Sequence, residues 1–137
     1  MDVHDKKTRS YNMSMIKSKN TKPEEIVRKY LFSQGLRYRK NVRELPGSPD
    51  IVLPKYKTVI FVNGCFWHGH QNCKYFVWPE NNAEFWRKKI TTNMERDSKK
   101  KALLEQNGWR VFVVWECELK KARSEETLKS LVKKVLS

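Results

Sequence analysis

The sequence predicts an α/β domain, one small mixed sheet flanked by helices, and three observations carry that reading. Two segments, "KTVIFVNG" and "WRVFVVWE", are apolar on both faces, the pattern of strands covered from both sides. A long segment with helical start and stop signals lies between them, and the order along the chain is helix, helix, strands, helix, strand, helix. The chain has 137 residues and is 39% hydrophobic, enough to bury one core without disulfide staples. No internal repeat, low-complexity tract or linker divides it, so a single domain over residues 1–137 is expected.

The elements follow in order. "DKKTRSYNMSMIKSK" is a weak helix, basic on most sides, with Tyr11, Met13, Met15 and Ile16 as its apolar content. "NTKPEEIVRKYLFSQG" is a complete helix. Thr21 is its N-cap, Glu24 stands at capping-box spacing, Pro23 lies in the first turn, and Gly35 stops it. Ile26, Tyr30 and Leu31, with Val27 beside them, form its buried stripe. "LPGSPDIVLP" brings a turn and then a short strand from Asp50 to Leu53, and "KTVIFVNG" follows as a central strand. After an irregular loop, "NNAEFWRKKITTNMERDSKKKALLEQNG" is a long helix capped by Asn82 and stopped by Gly108. "WRVFVVWE" is a second central strand. "SEETLKSLVKKVLS" closes the chain as an amphipathic helix capped by Ser124, with two acids in its first turn.

Lys plus Arg outnumber Asp plus Glu by 29 to 15, a net charge of +14, which favours a polyanionic partner and nucleic acid first. No apolar run approaches the ~20 residues of a membrane span, and the start "MDVHDKKTRS" has no apolar signal core. A cytoplasmic protein is expected, with no membrane partner.

Only three cysteines occur, Cys65, Cys73 and Cys117, an odd count that argues against a disulfide framework. The stretch "GCFWHGHQNC" joins two of them to two histidines. Cys65-x4-His70-x2-Cys73 supplies three ligands of the type zinc prefers, and Cys117, following a strand, can return to the same corner. All three cysteines and one histidine would make a closed, structural Cys3His site. It would also give the irregular loop a defined shape. Cys65-x2-His68 is an equally good spacing, so spacing leaves His68 and His70 as rival ligands. The bland reading is free buried cysteines, which requires three of three cysteines to fit a site by accident.

Asp50 follows Pro49 at the head of a strand. A carboxylate at a sheet's mouth in so basic a chain suggests Mg2+ held for attack on a phosphodiester. On the long helix, Trp86, Asn93 and Asp97 are spaced seven and four apart and share a face near Ile90 and Met94. An acid there needs a partner, either a hydrated metal or one of the many lysines and arginines. Glu24 already has a structural job in the capping box.

These residues, in this order, resemble the very short patch repair (Vsr) endonucleases, bacterial mismatch nickases with a restriction-endonuclease-like core. The resemblance runs from "DVHDKKTRSYNMSMI" through "LPGSPDIV", "VIFVNGCFWHGHQNC" and "EFWRKKITTNMERD" to "GWRVFVVWECEL", nearly the whole chain. It implies Mg2+-dependent nicking of double-stranded DNA 5′ to the T of a T·G mismatch, left by 5-methylcytosine deamination. A functional link to a DNA cytosine-5 methyltransferase and to downstream repair proteins goes with it, as does a monomer. Carried over by position, it makes Asp50 the Mg2+ carboxylate and the main-chain carbonyl of Val62 a second ligand. His68 becomes the general base, and Cys65, His70, Cys73 and Cys117 the structural Zn2+ ligands. Glu24 and Asp97 contribute through water or through neighbouring ligands. Phe66, Trp67 and Trp86 form an aromatic wedge beside the mismatch, and residues 1–20 a basic helical arm on the DNA. Unpaired apolar rings suit such a wedge, because they can fill the gap between unstacked base pairs.

The chain departs from the restriction-type pattern, which carries an acid-x-lysine after the aspartate, where "IFVNG" offers neither. Asn63 stands where relatives often have histidine. It can hydrogen-bond a metal-bound water but cannot act as acid or base near neutral pH. Two alternatives stand beside the nickase: a zinc-stabilised restriction-like or junction-cleaving endonuclease, and a non-catalytic zinc DNA-binding module. Asp50 weighs against the last, because a pure binder gains nothing from an acid facing phosphate.

Overall fold

A computed structural model describes residues 21–137; the basic helix expected over residues 1–20 and its DNA contact lie outside the described residues. Helix α1 (Lys22–Ser33) begins as expected, with Thr21 extended, its side chain accepting the Glu24 amide at 3.5 Å, and Pro23 in the first turn. Its buried face is Glu24, Val27, Arg28 and Leu31 rather than the expected all-apolar stripe; Ile26 and Tyr30 pack at its margin. The two charges are tolerated there because they pair one turn apart, Arg28 Nη1 to Glu24 Oε2 at 3.4 Å.

Four strands form one mixed sheet in the order β1 (Arg39–Lys40), β2 (Ile51–Leu53), β3 (Thr58–Asn63), β4 (Arg110–Trp115). The first two pairings are antiparallel, with Ile51 opposite Ile60, and β3 runs parallel to β4, with Val59 opposite Val111. A parallel pair needs a crossover, and helix α2 (Ala83–Gln106) supplies it. Alternation along the strands then builds two cores. Ile51, Leu53, Ile60 and Val114 pack under α1 and under helix α3 (Ser124–Leu136), meeting Leu31, Leu128 and Val135. Val52 and Val59 turn the other way and bury against Leu104 of α2 and Val42. The sheet is therefore covered on both faces, as its apolar strands require.

Three local expectations need correction, and one strand went unforeseen. Strand β1 was not foreseen, because two exposed basic residues carry no strand pattern. Strand β4 is an edge rather than a central strand among the described residues: its residues pack on both cores, yet Val113 is 38% exposed. Asn82 occupies the cap position of α2, but with φ of 55° and no side-chain cap bond; the left-handed conformation, which asparagine tolerates, turns the loop into the helix. Ser124 lies inside α3 with Arg123 at the cap, because the preceding turn already donates the Ser124 amide to Lys120 O at 2.9 Å. Among the described residues no helix is long and apolar enough to cross a membrane.

Candidate active site and metal cluster

The turn before β2 and the end of β3 bring the first site residues together. Asp50 stands one residue before β2, and its Oδ2 accepts the Val62 amide at 2.7 Å. Val62 and the buried Asn63 end β3, so carboxylate, Val62 backbone and Asn63 share one mouth of the sheet. Glu24 arrives from the first turn of α1, and its side chain hydrogen-bonds Asp50 as well as meeting Arg28. Thr21 makes its half of the expected capping box, but the Glu24 carboxylate engages Asp50 and Arg28 and so forms an acid pair. Burial lifts the Asp50 carboxyl from its ordinary 3.8 to about 7. The Val62 amide opposes that rise, the Glu24 charge and hydrogen bond add to it, and His68 lowers it.

His68 reaches the same cleft from the loop after β3. Its Nδ1 lies 2.6 Å from Asp97 Oδ2 on α2, and Lys100 Nζ lies 3.7 Å from Asp97 Oδ1. The partner expected for Asp97 is thus double, an imidazole and a lysine. The loop can come this close to α2 because Gly69, at φ +60°, has no Cβ: one would stand 2.7 Å from Met94 Sδ and 3.0 Å from Ile90 Cγ2. Glu24, Asp50, Asn63, His68, Asp97 and Lys100 line one open cleft of about 630 Å³, together with Trp67 and Glu116.

Next to this cleft, Cys65, His70, Cys73 and Cys117 put one ligand atom each within 4.8 Å of one another. Tetrahedral Zn–S bonds of ~2.3 Å imply ligand separations of about 3.8 Å, so three thiols and one imidazole at this spacing fit a closed zinc site. Cys117 lies in the short 3-10 turn Glu116–Leu119 directly after β4, and its Sγ is 3.5 Å from His70 Nδ1. The His70 ring stacks on Trp115, centroids 4.0 Å apart and planes 4° from parallel, which fixes its orientation. Burial pushes the Cys65 thiol up to about 12, against the pull of the Cys117 amide, and the neighbouring thiols add to the rise. Burial raises the Cys117 thiol as well, and Arg123 offsets that rise only in part, so a cation would relieve the thiolate charge that zinc ligation requires. His68 belongs instead to Asp97, so the structure separates the two histidines that spacing left as rivals.

The donor set at Asp50 also suits a hard cation. Two carboxyls in hydrogen-bond contact, one raised to about 7, are a charge conflict that Mg2+ would relieve, with the Val62 carbonyl and water completing its oxygens.

Phe66, Trp67 and Trp86 gather as expected. Their ring centroids lie 5.4 Å (Phe66–Trp67), 5.4 Å (Phe66–Trp86) and 5.7 Å (Trp67–Trp86) apart. Asn93 Nδ2 donates to the Trp67 carbonyl at 2.9 Å, tying that ring's backbone to α2. Sequence reasoning missed Lys100, Glu116 and Trp115. Lys100 carried a faint signal, three residues after Asp97 on one helix; Glu116 and Trp115 flank Cys117's approach and carried none.

Comparison with known proteins finds one matching family and several similar enzymes. The family described as "DNA mismatch endonuclease Vsr" matches residues 1–74. The chain is 53% identical to "Type II nicking enzyme V.NmeAIP" of Neisseria meningitidis serogroup A over 98% of this chain and 96% of that protein. It is 50% identical to "Type II nicking enzyme V.XorIIP" of Xanthomonas oryzae pv. oryzae, over 81% of each. With "DNA mismatch endonuclease Vsr" of Escherichia coli K12 it shares 47% identity over 87% of this chain and 76% of that protein.

Proposed function

The chain belongs to the DNA mismatch endonuclease Vsr family, and from that premise we propose that it nicks one strand of double-stranded DNA 5′ to the T of a T·G mismatch, in a Mg2+-dependent hydrolysis. The observation that carries the reading is the convergence of Asp50, the Val62 backbone and the His68–Asp97 pair in one cleft beside the Cys/His cluster. A restriction-endonuclease-like core is consistent with the mixed sheet and its flanking helices.

In this reading Asp50 and the Val62 carbonyl hold Mg2+. When bound, the ion neutralises phosphate charge and makes a coordinated water more acidic. Asp97 takes the Nδ1 side of His68 and fixes the tautomer that leaves Nε2 to accept the proton of the attacking water. Asn63 hydrogen-bonds that water without exchanging a proton. Glu24 holds Asp50 in place. Cys65, His70, Cys73 and Cys117 hold Zn2+, which shapes the loop carrying His68, Phe66 and Trp67. Phe66, Trp67 and Trp86 enter the helix beside the mismatch, where opening a wobble pair costs less than opening a matched one. The basic segment 1–20 tracks the backbone, and the whole chain acts as one domain and as a monomer, since a nick needs one active site. The mismatch itself links the enzyme to a DNA cytosine-5 methyltransferase and to repair proteins that fill the gap, in the bacterial cytoplasm.

The test is Mg2+-dependent cleavage of matched and T·G-containing duplexes over varied sequence contexts. Nicking of the T strand with little cutting of matched DNA is expected. Equal cutting of both would replace this reading with a restriction-like endonuclease, and binding without cutting in any context would leave a DNA-binding module.

A further inference from the structure

Lys100 enters the cleft from α2, one turn beyond Asp97. The two oxygens of Asp97 are divided: Oδ2 is 2.6 Å from His68 Nδ1, and Oδ1 is 3.7 Å from Lys100 Nζ. A carboxylate with one partner can swing about its last torsion, which is broad and roughly two-fold; a second partner on the other oxygen narrows that swing.

A solvated lysine three residues from an aspartate on a helix is ordinarily worth little and holds little. Lys100 differs in what lies under its stem. Gly47, at φ +75° in the turn whose Ser48 amide donates to Leu45 O, faces the lysine with bare backbone. A Cβ there would stand 2.5 Å from Lys100 Cδ, 2.6 Å from Cγ and 2.9 Å from Cβ. The methylenes therefore run directly over the glycine, in a seat that any other residue would fill. Two residues past Gly47 comes the buried Pro49, and then Asp50. One side chain thus touches the carboxylate that holds His68 and the turn that delivers Asp50.

We infer that Lys100 is a positioning residue of this site: its ammonium holds Asp97 Oδ1 so that Oδ2 meets His68 Nδ1, and its stem, seated on Gly47, locks α2 to the turn bearing Asp50. The inference rests on the reading of His68 as proton acceptor in a nuclease. It also supplies a cation to a chain whose β3 lacks the lysine of restriction-type cores; here the cation arrives from a helix on the opposite wall. Because Lys100 acts through Asp97, its loss should slow the chemical step without weakening the grip on DNA.

The experiment compares Lys100→Met, Lys100→Arg and Lys99→Met, the last removing the same charge from an exposed neighbour that does not line the cleft. Single-turnover nicking of a T·G duplex at saturating Mg2+ and enzyme gives the chemical rate, and fluorescence anisotropy gives duplex affinity. Lys100→Met should lower the rate on the order of 10–100-fold, the scale of a misplaced catalytic group, with duplex affinity equal to that of Lys99→Met. Lys100→Arg should recover most of the rate, since its guanidinium can still hold Oδ1. In NMR of the metal-loaded protein, the hydrogen-bonded Nδ1 proton of His68 should be seen in the parent and in Lys100→Arg and lost in Lys100→Met. A Lys100→Met rate equal to that of Lys99→Met, or a loss confined to duplex affinity, overturns the inference; the latter result would assign Lys100 to phosphate contact. A parent protein that nicks no duplex sinks the nuclease reading instead, and the His68 proton signal still decides whether Lys100 orders the pair.

Discussion

Asp50 Oδ2 accepts the Val62 amide at 2.7 Å, joining the residue just before β2 to the end of the antiparallel β3 at the sheet's open end. That bond pins the carboxylate beside the Val62 backbone before any ion arrives. In the proposed reading the Val62 carbonyl, held beside Asp50 whatever side chain the residue carries, takes the place of the acid that β3 lacks.

The raised Asp50 carboxyl sets a pH dependence. Its folded value of about 7 lies above the ordinary 3.8, so it contributes stability to the metal-free fold that is fully present below the ordinary value and lost as pH rises to about 7. Mg2+ needs the ionised form. Apparent Mg2+ affinity should therefore rise about tenfold per pH unit up to roughly pH 7 and level off above it, with Asp50→Asn abolishing nicking and leaving duplex binding intact. Calorimetric titration of Mg2+ across that range checks this; an affinity flat from about pH 5 to 7 contradicts the burial of Asp50.

His68→Ala should slow the chemical step by on the order of 10²–10⁴-fold, typical of a lost general base, while keeping its zinc. Asp97→Asn should slow it comparably, because an amide can donate to Nδ1 and leave the proton on Nε2, the wrong tautomer. Single-turnover rates with zinc content measured in parallel read both. Zinc loss in His68→Ala would mean that the roles of His68 and His70 are exchanged.

Much of this site was legible because its chemistry sits in short stretches. Cys65, His68, His70 and Cys73 fall within nine positions, and Thr21, Pro23 and Glu24 announce a helix start. What spacing left open was which histidine serves which site, since Cys65-x2-His68 and Cys65-x4-His70 are both feasible. The structure places His70 among the three cysteines and His68 on Asp97, 29 residues away. The contacts that stayed hidden are tertiary. Glu24 turned to Asp50, Lys100 lay on Gly47, and Trp115 stacked on His70, each depending on how α1, α2 and β4 pack rather than on local pattern. The edge position of β4 was hidden for the same reason: a strand covered on both faces reads as central even when, among the described residues, one side has no neighbouring strand.

Purified protein should carry one zinc per chain, held by Cys65, His70, Cys73 and Cys117. Structural zinc is worth roughly 10–16 kcal/mol of apparent binding energy in small peptides, so Cys73→Ala should cost folding as well as catalysis. Metal analysis and thermal unfolding of Cys73→Ala decide it: a zinc-free variant as stable as the parent would falsify the structural role. Acidification should release the metal, because the thiols must be ionised to bind it and burial already holds the Cys65 thiol up at about 12.

The aromatic trio makes the substrate prediction. Phe66, Trp67 and Trp86 stand in mutual edge or tilted contact at 5.4–5.7 Å, and Asn93 holds the Trp67 carbonyl at 2.9 Å, so the rings are assembled before DNA arrives. A preassembled wedge does not adapt to its target; it enters where stacking is weakest, and a T·G wobble stacks less well than matched neighbours. Because Phe66 and Trp67 lie between Cys65 of the Cys/His cluster and His68, their insertion would bring the neighbouring phosphate to His68 and Asp50. Matched DNA should then fail at insertion rather than at hydrolysis. Trp67→Ala should lower the ratio of T·G to matched nicking more than it lowers salt-sensitive binding, which rests on the lysines and arginines. Asn93→Ala should do the same more mildly, by loosening the backbone under Trp67. Nicking rates on paired T·G and matched duplexes, with anisotropy at several salt concentrations, separate the two effects, and an unchanged ratio in Trp67→Ala removes the wedge from the account of specificity.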